Sequence, residues 1–262
     1  MIPVEASAAI ACSVTFALLW LRQTRTNDAT SVDAAWAIAI GALGLAFAAV
    51  GEGALAQRWL AAAIVGVWSG RLSWHLVVNR VLAHVGEDGR YRAMRAHWGS
   101  KAHRNLFVFY QVQALAALLF ALPFWFLAGH GAATLAPAQW AGLGVIACAQ
   151  AFETLSDRQL EAHRRDPGQR GRACRRGLWR YSRHPNYFFE WLTWCGIAVV
   201  AAPAAGWWAA LQPAAMFVLV RFVSGVPYTE LQALKSRGDD YRRYQQQTNA
   251  FVPWRPRPSK AP

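Results

Sequence analysis

The chain has 262 residues, of which 55% are hydrophobic and 16% are charged, and it contains 14 tryptophans and 13 phenylalanines. This composition is too apolar and too aromatic for an ordinary soluble domain, so it predicts a polytopic membrane protein. Lys and Arg outnumber Asp and Glu by 27 to 14. These basic residues lie between apolar runs and form no separate basic domain, which argues against a nucleic-acid partner.

Seven apolar stretches approach the roughly 20 residues that a helix needs to cross a bilayer. In chain order they are residues 4–21, 33–50, 59–78, 106–127, 138–155, 187–203 and 206–223. The predicted fold class is therefore all-α, a polytopic membrane protein with seven transmembrane helices. Arginines are concentrated in the first, third and fifth connections and after the last span, whereas the alternate connections carry only Arg58. By the positive-inside rule, the N-terminus is expected outside and the C-terminus in the cytoplasm.

No repeat, low-complexity tract or linker divides the chain, so residues 1–262 are expected to form a single integral-membrane domain. We expect a monomer in contact with membrane lipids, in either a bacterial inner membrane or the endoplasmic reticulum membrane. The Pro-rich end, residues 253–258, is expected not to fold.

A cationic, polar cluster stands directly before an apolar run in residues 178–191. Asn186 and Glu190 are four residues apart, so they share one face at the mouth of the sixth span. A carboxylate that enters hydrocarbon is costly and commonly marks a functional site. Other polar residues within or at the ends of spans are Asp33, Arg71, Asn79, Gln111, Glu153 and Asp157. These side chains predict either a ligand site or a set of hydrogen bonds and ion pairs between helices.

Nine arginines lie between Arg158 and Arg183, which is more than the orientation of a helix requires. The planar arginine fork suits phosphate, although any one of these residues can equally be a topology signal. No glycine-rich dinucleotide fingerprint and no P-loop motif is present. The histidines in the connections lack the i,i+4 spacing of a helical metal site, so no metal is expected.

Residues 183–187 read Arg-His-Pro-Asn-Tyr, with Gly-Leu-Trp before them at 177–179 and Glu190-Trp191 after them. This combination resembles the C-terminal signature of membrane steroid 5α-reductase-like proteins. A related Arg-His-Pro-x-Tyr signature occurs in isoprenylcysteine carboxyl methyltransferases, which use S-adenosylmethionine. The Asn186 and Glu190 pair favours the reductases, and the resemblance covers most of residues 60–254.

The resemblance implies seven helices that enclose NADPH, with the phosphate end in the cytoplasmic loops. It also implies hydride transfer to the β-carbon of a lipophilic enone that enters from the bilayer, such as the conversion of a 3-oxo-Δ4 steroid to its 5α-reduced product. The cofactor-binding residues that it implies are Arg71, Asn79, Arg80, Asp157, Arg164, Arg172, Tyr181, Arg183, His184, Asn186, Glu190, Glu230 and Tyr241.

The chain departs from this family at the substrate end. Where the steroid enzymes place a glutamate beside a glutamine on an early helix, the nearest candidate is Asp33, and the match to their third-span tyrosine is Trp68. An indole N–H donates a hydrogen bond but does not deliver a proton. The proton donor therefore stays open between Tyr187, Tyr110 and a protonated Asp33, and we take Asp33, Trp68 and Tyr187 as the catalytic candidates.

Two other functions stay open. One is a membrane methyltransferase that uses S-adenosylmethionine, and the other is a lipid-binding or transport protein without catalytic activity. In that last case the polar residues only hold helices together.

Overall fold

The computed structural model describes residues 3–82 and 86–258. Within these ranges every regular element is a helix, apart from one isolated β-bridge between Ser182 and Asn249. The prediction of an all-helical fold is thus confirmed. The chain divides into two compact units, Met1–Leu135 and Ala136–Pro262.

Several helices of the described ranges are long and apolar enough to cross a membrane, which makes this an integral membrane protein. The five stretches are Val4–Thr26, Val32–Val50, Leu55–Leu82, Gly89–Gly129 and Pro185–Gln247. The predicted span 138–155 lies in a helix outside these five, and the last two predicted spans share the fifth stretch. The number of seven spans and the orientation of the termini therefore stay predictions.

Unit 1 contains helices α1 (Val4–Thr26), α2 (Val32–Val50), α3 (Leu55–Leu76), α4 (Gly89–Trp98) and α5 (Ala102–Gly129). Helix α1 ends at Asn27, whose backbone is left-handed with φ of 51°, a conformation that asparagine tolerates. Helix α3 continues into a π-helical turn, Val77–Leu82. The Asp88 side chain caps α4 by accepting the Arg90 N–H at 2.8 Å.

Helix α5 forms the centre of unit 1 because it packs against α1, α2 and α3. Its largest fully buried side chains are Leu106, Tyr110, Phe120, Phe124 and Leu127. Outward-facing apolar residues such as Val67 and Leu115 are exposed. An apolar exterior around an apolar core is what helices in lipid require.

Unit 2 contains helices α6 (Pro137–Arg165), α7 (Pro185–Ala205), α8 (Leu211–Val218) and α9 (Val226–Gln247), with 3-10 turns at Pro167–Gln169, Gly177–Arg180 and Gly206–Ala210 and a π-helical turn at Leu219–Val223. Helix α7 begins at Pro185 because proline fits the first helical position. The preceding residue, His184, is non-helical with φ of −140° and ψ of 59°, and a following proline disfavours the helical conformation there.

Helices α6 and α7 approach each other closely through two facing glycines. A Cβ atom on Gly142 would lie 2.9 Å from the Gly196 carbonyl oxygen, and one on Gly196 would lie 3.1 Å from that of Gly142. Small residues permit such an approach between membrane helices. The contact fixes how the polar residues farther along these two helices face each other.

The expectation that the Pro-rich end does not fold is wrong for the described residues through Pro258. The Trp254 N–H donates to the Tyr181 carbonyl at 2.9 Å, and the Arg257 N–H donates to that of Gln247 at 2.8 Å. These backbone hydrogen bonds tie the end of the chain to the segment before α7.

Candidate functional site

The polar residues at the start of α7 pair with α6. The Asn186 amide donates to the Asp157 carboxylate at 3.2 Å, and two turns farther the Gln150 amide donates to the Thr193 hydroxyl at 3.0 Å. Glu190 lies between these contacts along α7, is buried, and accepts from the Trp194 indole at 3.0 Å. The structure thus brings the predicted Asp157, Asn186 and Glu190 onto one polar seam of a largely apolar helix pair.

Glu153 was among the polar span residues noted from the sequence but was not among the predicted cofactor-binding residues, and its burial adds a second carboxylate to α6 beside this seam. Its Oε2 atom lies 3.5 Å from the Gln150 amide nitrogen. Its position within a predicted span was the available signal, since carboxylates in spans are rare.

The two basic residues of the signature segment bind Glu230 of α9. Arg183 reaches the Glu230 carboxylate at 2.6 Å, and His184 Nε2 lies 3.3 Å from it. The Gln245 amide also donates to Glu230 at 2.9 Å, and Arg183 donates to the Thr248 carbonyl. Arg183, His184 and Glu230 are therefore brought together as predicted, as an ion-paired cluster that anchors the start of α7 to α9.

Burial lowers the pKa of His184, while its hydrogen bond to Glu230 acts in the opposite direction. The imidazole is thus held toward its neutral form. Its ring stacks on that of Tyr187, with centroids 5.5 Å apart and 7° between the planes. The Tyr187 hydroxyl lies 3.1 Å from that of Thr229, so this phenol is held at a defined place beside the cluster.

Two predicted tyrosines differ in exposure. Tyr241 is buried and packs on Tyr244, with ring centroids 5.8 Å apart, as part of the hydrophobic core of unit 2. Tyr181 is exposed and lines a shallow cavity with Pro253 and Trp254. Tyr241 therefore packs in the interior, whereas Tyr181 is accessible.

The predicted arginines of the long loop are also separated. Arg164 is exposed near the end of α6. Arg172 lines a cavity of about 310 Å³ together with His163, Gln169, Ala173, Arg175, Arg176, Asp240 and Arg243. Arg243 is a residue that sequence analysis missed, since it follows Arg172 by about 70 positions and only its charge marks it.

In unit 1, Asp33 is the acceptor of a second ion-paired cluster. Arg80 donates to Asp33 at 3.0 Å, Arg90 at 2.5 Å, and the buried Tyr91 hydroxyl at 2.6 Å. The structure thus joins the predicted Asp33 and Arg80 and adds Arg90 and Tyr91, which sequence analysis did not assign. A carboxylate that accepts from three donors acts here as an anchor between α2, the π-helical turn and α4.

The other predicted residues of unit 1 lie along α3 and its π-helical turn. Trp68 is fully buried and meets the Trp36 ring edge-on, with centroids 6.1 Å apart. Arg71 is half-buried one turn later, and the exposed Asn79 amide lies 3.2 Å from His75 Nδ1. Tyr110 is fully buried on α5, and its hydroxyl has no hydrogen-bond partner within the described residues.

In residues 3–82 and 86–258, no group of three or more His, Cys, Asp or Glu side chains is placed to hold a metal ion.

A family model described as "Protein of unknown function (DUF1295)" matches residues 19–248. No curated protein and no solved structure matches the chain.

Proposed function

Because the chain belongs to the DUF1295 family, whose description assigns no activity, we propose its function from its own residues. The protein reduces the C=C bond of a lipophilic enone with NADPH, and a 3-oxo-Δ4 steroid converted to its 5α-reduced product is the first substrate to test. The steroid 5α-reductase-like signature in residues 177–191 supports this proposal.

One observation carries it: the polar seam of α6 and α7, where the Asn186 amide meets Asp157 at 3.2 Å and the buried Glu190 follows one turn later. A nicotinamide carboxamide has one carbonyl acceptor and one amide donor. Asn186 retains a second N–H to donate, and a carboxylate such as Glu190 accepts. The donor set therefore fits the carboxamide end of the cofactor.

The residues around this seam have separate tasks. Asp157 orients the Asn186 amide, and the Arg183–Glu230 ion pair fixes the start of α7, which carries Asn186 and Glu190. When bound, the cofactor supplies the hydride that the β-carbon receives. Tyr187 donates a hydrogen bond to the ketone oxygen from a phenol that already lies beside Thr229.

Asp33 and Trp68 of unit 1 remain candidates for the substrate end. Asp33 accepts hydrogen bonds from two guanidinium groups and one phenol. An ionised carboxylate only accepts hydrogen bonds, so it does not polarise a ketone as a donor does. Tyr187 is for this reason our first candidate for ketone polarisation.

We further propose seven membrane spans, with the N-terminus outside and the C-terminus in the cytoplasm, on the arginine distribution of the loops. The cofactor then binds from the cytoplasm, and the substrate enters from the bilayer. Cysteine-accessibility labelling of single-cysteine variants tests this topology. Labelling of the N-terminal segment from the cytoplasmic side would contradict it.

The main test is nucleotide binding by purified protein in detergent. A ligand at 100 times its Kd stabilises the folded state by about 2.7 kcal/mol. We expect NADPH to raise the melting temperature and S-adenosylmethionine to leave it unchanged. Stabilisation by S-adenosylmethionine alone would favour the methyltransferase, and the lipid-binding alternative predicts no response to either nucleotide.

Variants connect binding to the seam. Asn186→Ala and Glu190→Ala are expected to abolish NADPH stabilisation and NADPH oxidation with a 3-oxo-Δ4 steroid, while the protein stays in the membrane. Glu161→Ala on α6 is the control, because the Glu161 side chain is 44% exposed and, within the described part of the chain, its ion pair is with Arg165 at 2.8 Å. Full activity of both seam variants would refute the assignment.

A further inference from the structure

The cavity of about 310 Å³ in unit 2 has a mainly cationic wall. Four of its lining residues are Arg172, Arg175, Arg176 and Arg243, and one is a carboxylate, Asp240. Four guanidinium groups against a single carboxylate leave an excess of about three positive charges, before any charge on a histidine is counted.

Asp240 neutralises only part of this charge. Its carboxylate accepts the Ala173 N–H at 2.7 Å, lies 3.1 Å from Arg175 and lies 3.8 Å from Arg243. The guanidinium groups of Arg172 and Arg176 have no hydrogen bond or ion pair within residues 3–82 and 86–258. The cavity therefore presents at least two unneutralised forks to a ligand.

We propose that this cavity binds a phosphate monoester. Such a group carries about −1.5 to −2 charges and three acceptor oxygens, which match the positive excess and the arginine forks. A volume of about 310 Å³ is at the lower end for a ligand pocket. It accommodates the phosphorylated end of a larger molecule, and the remainder extends outside.

The identification of that molecule rests on the proposed function. The 2′-phosphate that distinguishes NADPH from NADH is the monoester expected here, which makes Arg176 and Arg243 specificity-determining residues. The phosphate site itself does not depend on the reductase assignment, since a lipid with a phosphomonoester headgroup offers the same chemistry.

The experiment compares Arg176→Gln and Arg243→Gln with Arg242→Gln as a matched control. Arg176 and Arg243 are exposed, so these variants are expected to fold. Arg242 is adjacent in sequence, but it is exposed, pairs with Asp239 at 2.8 Å and does not line the cavity. Titration calorimetry in phospholipid-free detergent gives the ratio of the NADH and NADPH dissociation constants for each protein.

We expect each cavity variant to reduce the preference for NADPH about 10-fold or more, since one charge-assisted hydrogen bond is worth roughly that factor. The control keeps the wild-type ratio. Adenosine 2′-monophosphate is expected to stabilise the wild-type protein and not the cavity variants. Stabilisation by adenosine 2′-monophosphate supports the phosphate site even if neither dinucleotide binds. The absence of dinucleotide binding would refute only the reductase assignment.

The lipid source is tested in nanodiscs with and without phosphatidic acid. If the cavity variants lose phosphatidic acid binding while the NADPH preference is unchanged, the ligand is the lipid headgroup and the 2′-phosphate assignment is overturned. If the wild-type protein responds to neither adenosine 2′-monophosphate nor phosphatidic acid, or if the cavity variants respond as the wild type does, the phosphate site is refuted.

Discussion

Asp33→Asn is the substitution that best separates an anchoring role from a catalytic one. The change keeps the shape of the side chain and removes its charge. In the structure the carboxylate accepts from Arg80 at 3.0 Å, Arg90 at 2.5 Å and Tyr91 at 2.6 Å. Arg80 and Arg90 both donate to Oδ2, and Tyr91 donates to Oδ1. With asparagine in its place, both guanidinium groups lose their counter-charge, and the amide NH2 replaces an acceptor of either the two guanidinium groups or the phenol. The folded state is therefore expected to lose stability even without substrate.

The magnitude follows from burial. Removal of one partner from a buried pair costs about 3–5 kcal/mol, whereas exposed pairs contribute about 0–1 kcal/mol. The Asp33 side chain is 19% exposed, and Arg80 and Arg90 are 33% and 22% exposed. The cluster lies between the two limits and nearer to the buried one, so we expect a loss of about 2–3 kcal/mol.

The assay is reversible unfolding in mixed detergent and dodecyl sulfate micelles, followed by far-UV circular dichroism. Asp239→Asn is the matched control, because Asp239 and its partner Arg242 are 78% and 69% exposed. That control is expected to stay within about 0.5 kcal/mol of the wild type. If Asp33→Asn unfolds like the wild type, the anchoring argument is refuted. If the folded variant still gains stability from NADPH but no longer oxidises it with the steroid, Asp33 acts on the substrate.

Three further substitutions test other parts of unit 2. Glu230→Gln leaves the guanidinium of Arg183, only 10% exposed, without its counter-charge, so the free energy of unfolding should fall by about 3 kcal/mol; a loss under about 1 kcal/mol would contradict the ion-pair argument. The lowered pKa of His184 means that the unfolded chain takes up a proton below about pH 6.5 before the folded protein does. The free energy of unfolding of the wild-type protein should thus fall below that pH more steeply than that of His184→Gln. Parallel pH profiles of the two proteins would disprove this. Gly177→Ala should lower the free energy of unfolding more than Gly171→Ala does. Both glycines have positive φ (55° and 74°), but only at Gly177 does an added methyl group collide with a glutamine side chain. Equal free energies of unfolding for the two variants would show that this collision has no effect.

The sequence alone determined that the chain is a helical membrane protein. Apolar runs are a local feature, so they predicted a helix in each of the seven expected spans. The i,i+4 spacing of Asn186 and Glu190 likewise placed both on one face of the same helix, and the structure shows that Asn186 on this face contacts Asp157 of α6. Asp157 was noted as a polar residue at the end of a span, but its role beside Asn186 was anticipated only through the resemblance to a family, because its position before α7 fixes no partner.

The tertiary structure decided which charges meet. Asp33 was expected at the substrate end, and only the packing of α2 against the π-helical turn and α4 brings Arg80, Arg90 and Tyr91 to its carboxylate. The nine loop arginines looked equivalent in sequence, yet one cavity joins Arg172 to Arg243 across about 70 positions. Periodicity and composition report a residue's own helix and its depth in the membrane. Partners distant in sequence depend on how helices pack, and that packing is fixed by close contacts such as Gly142 with Gly196 that no local pattern encodes.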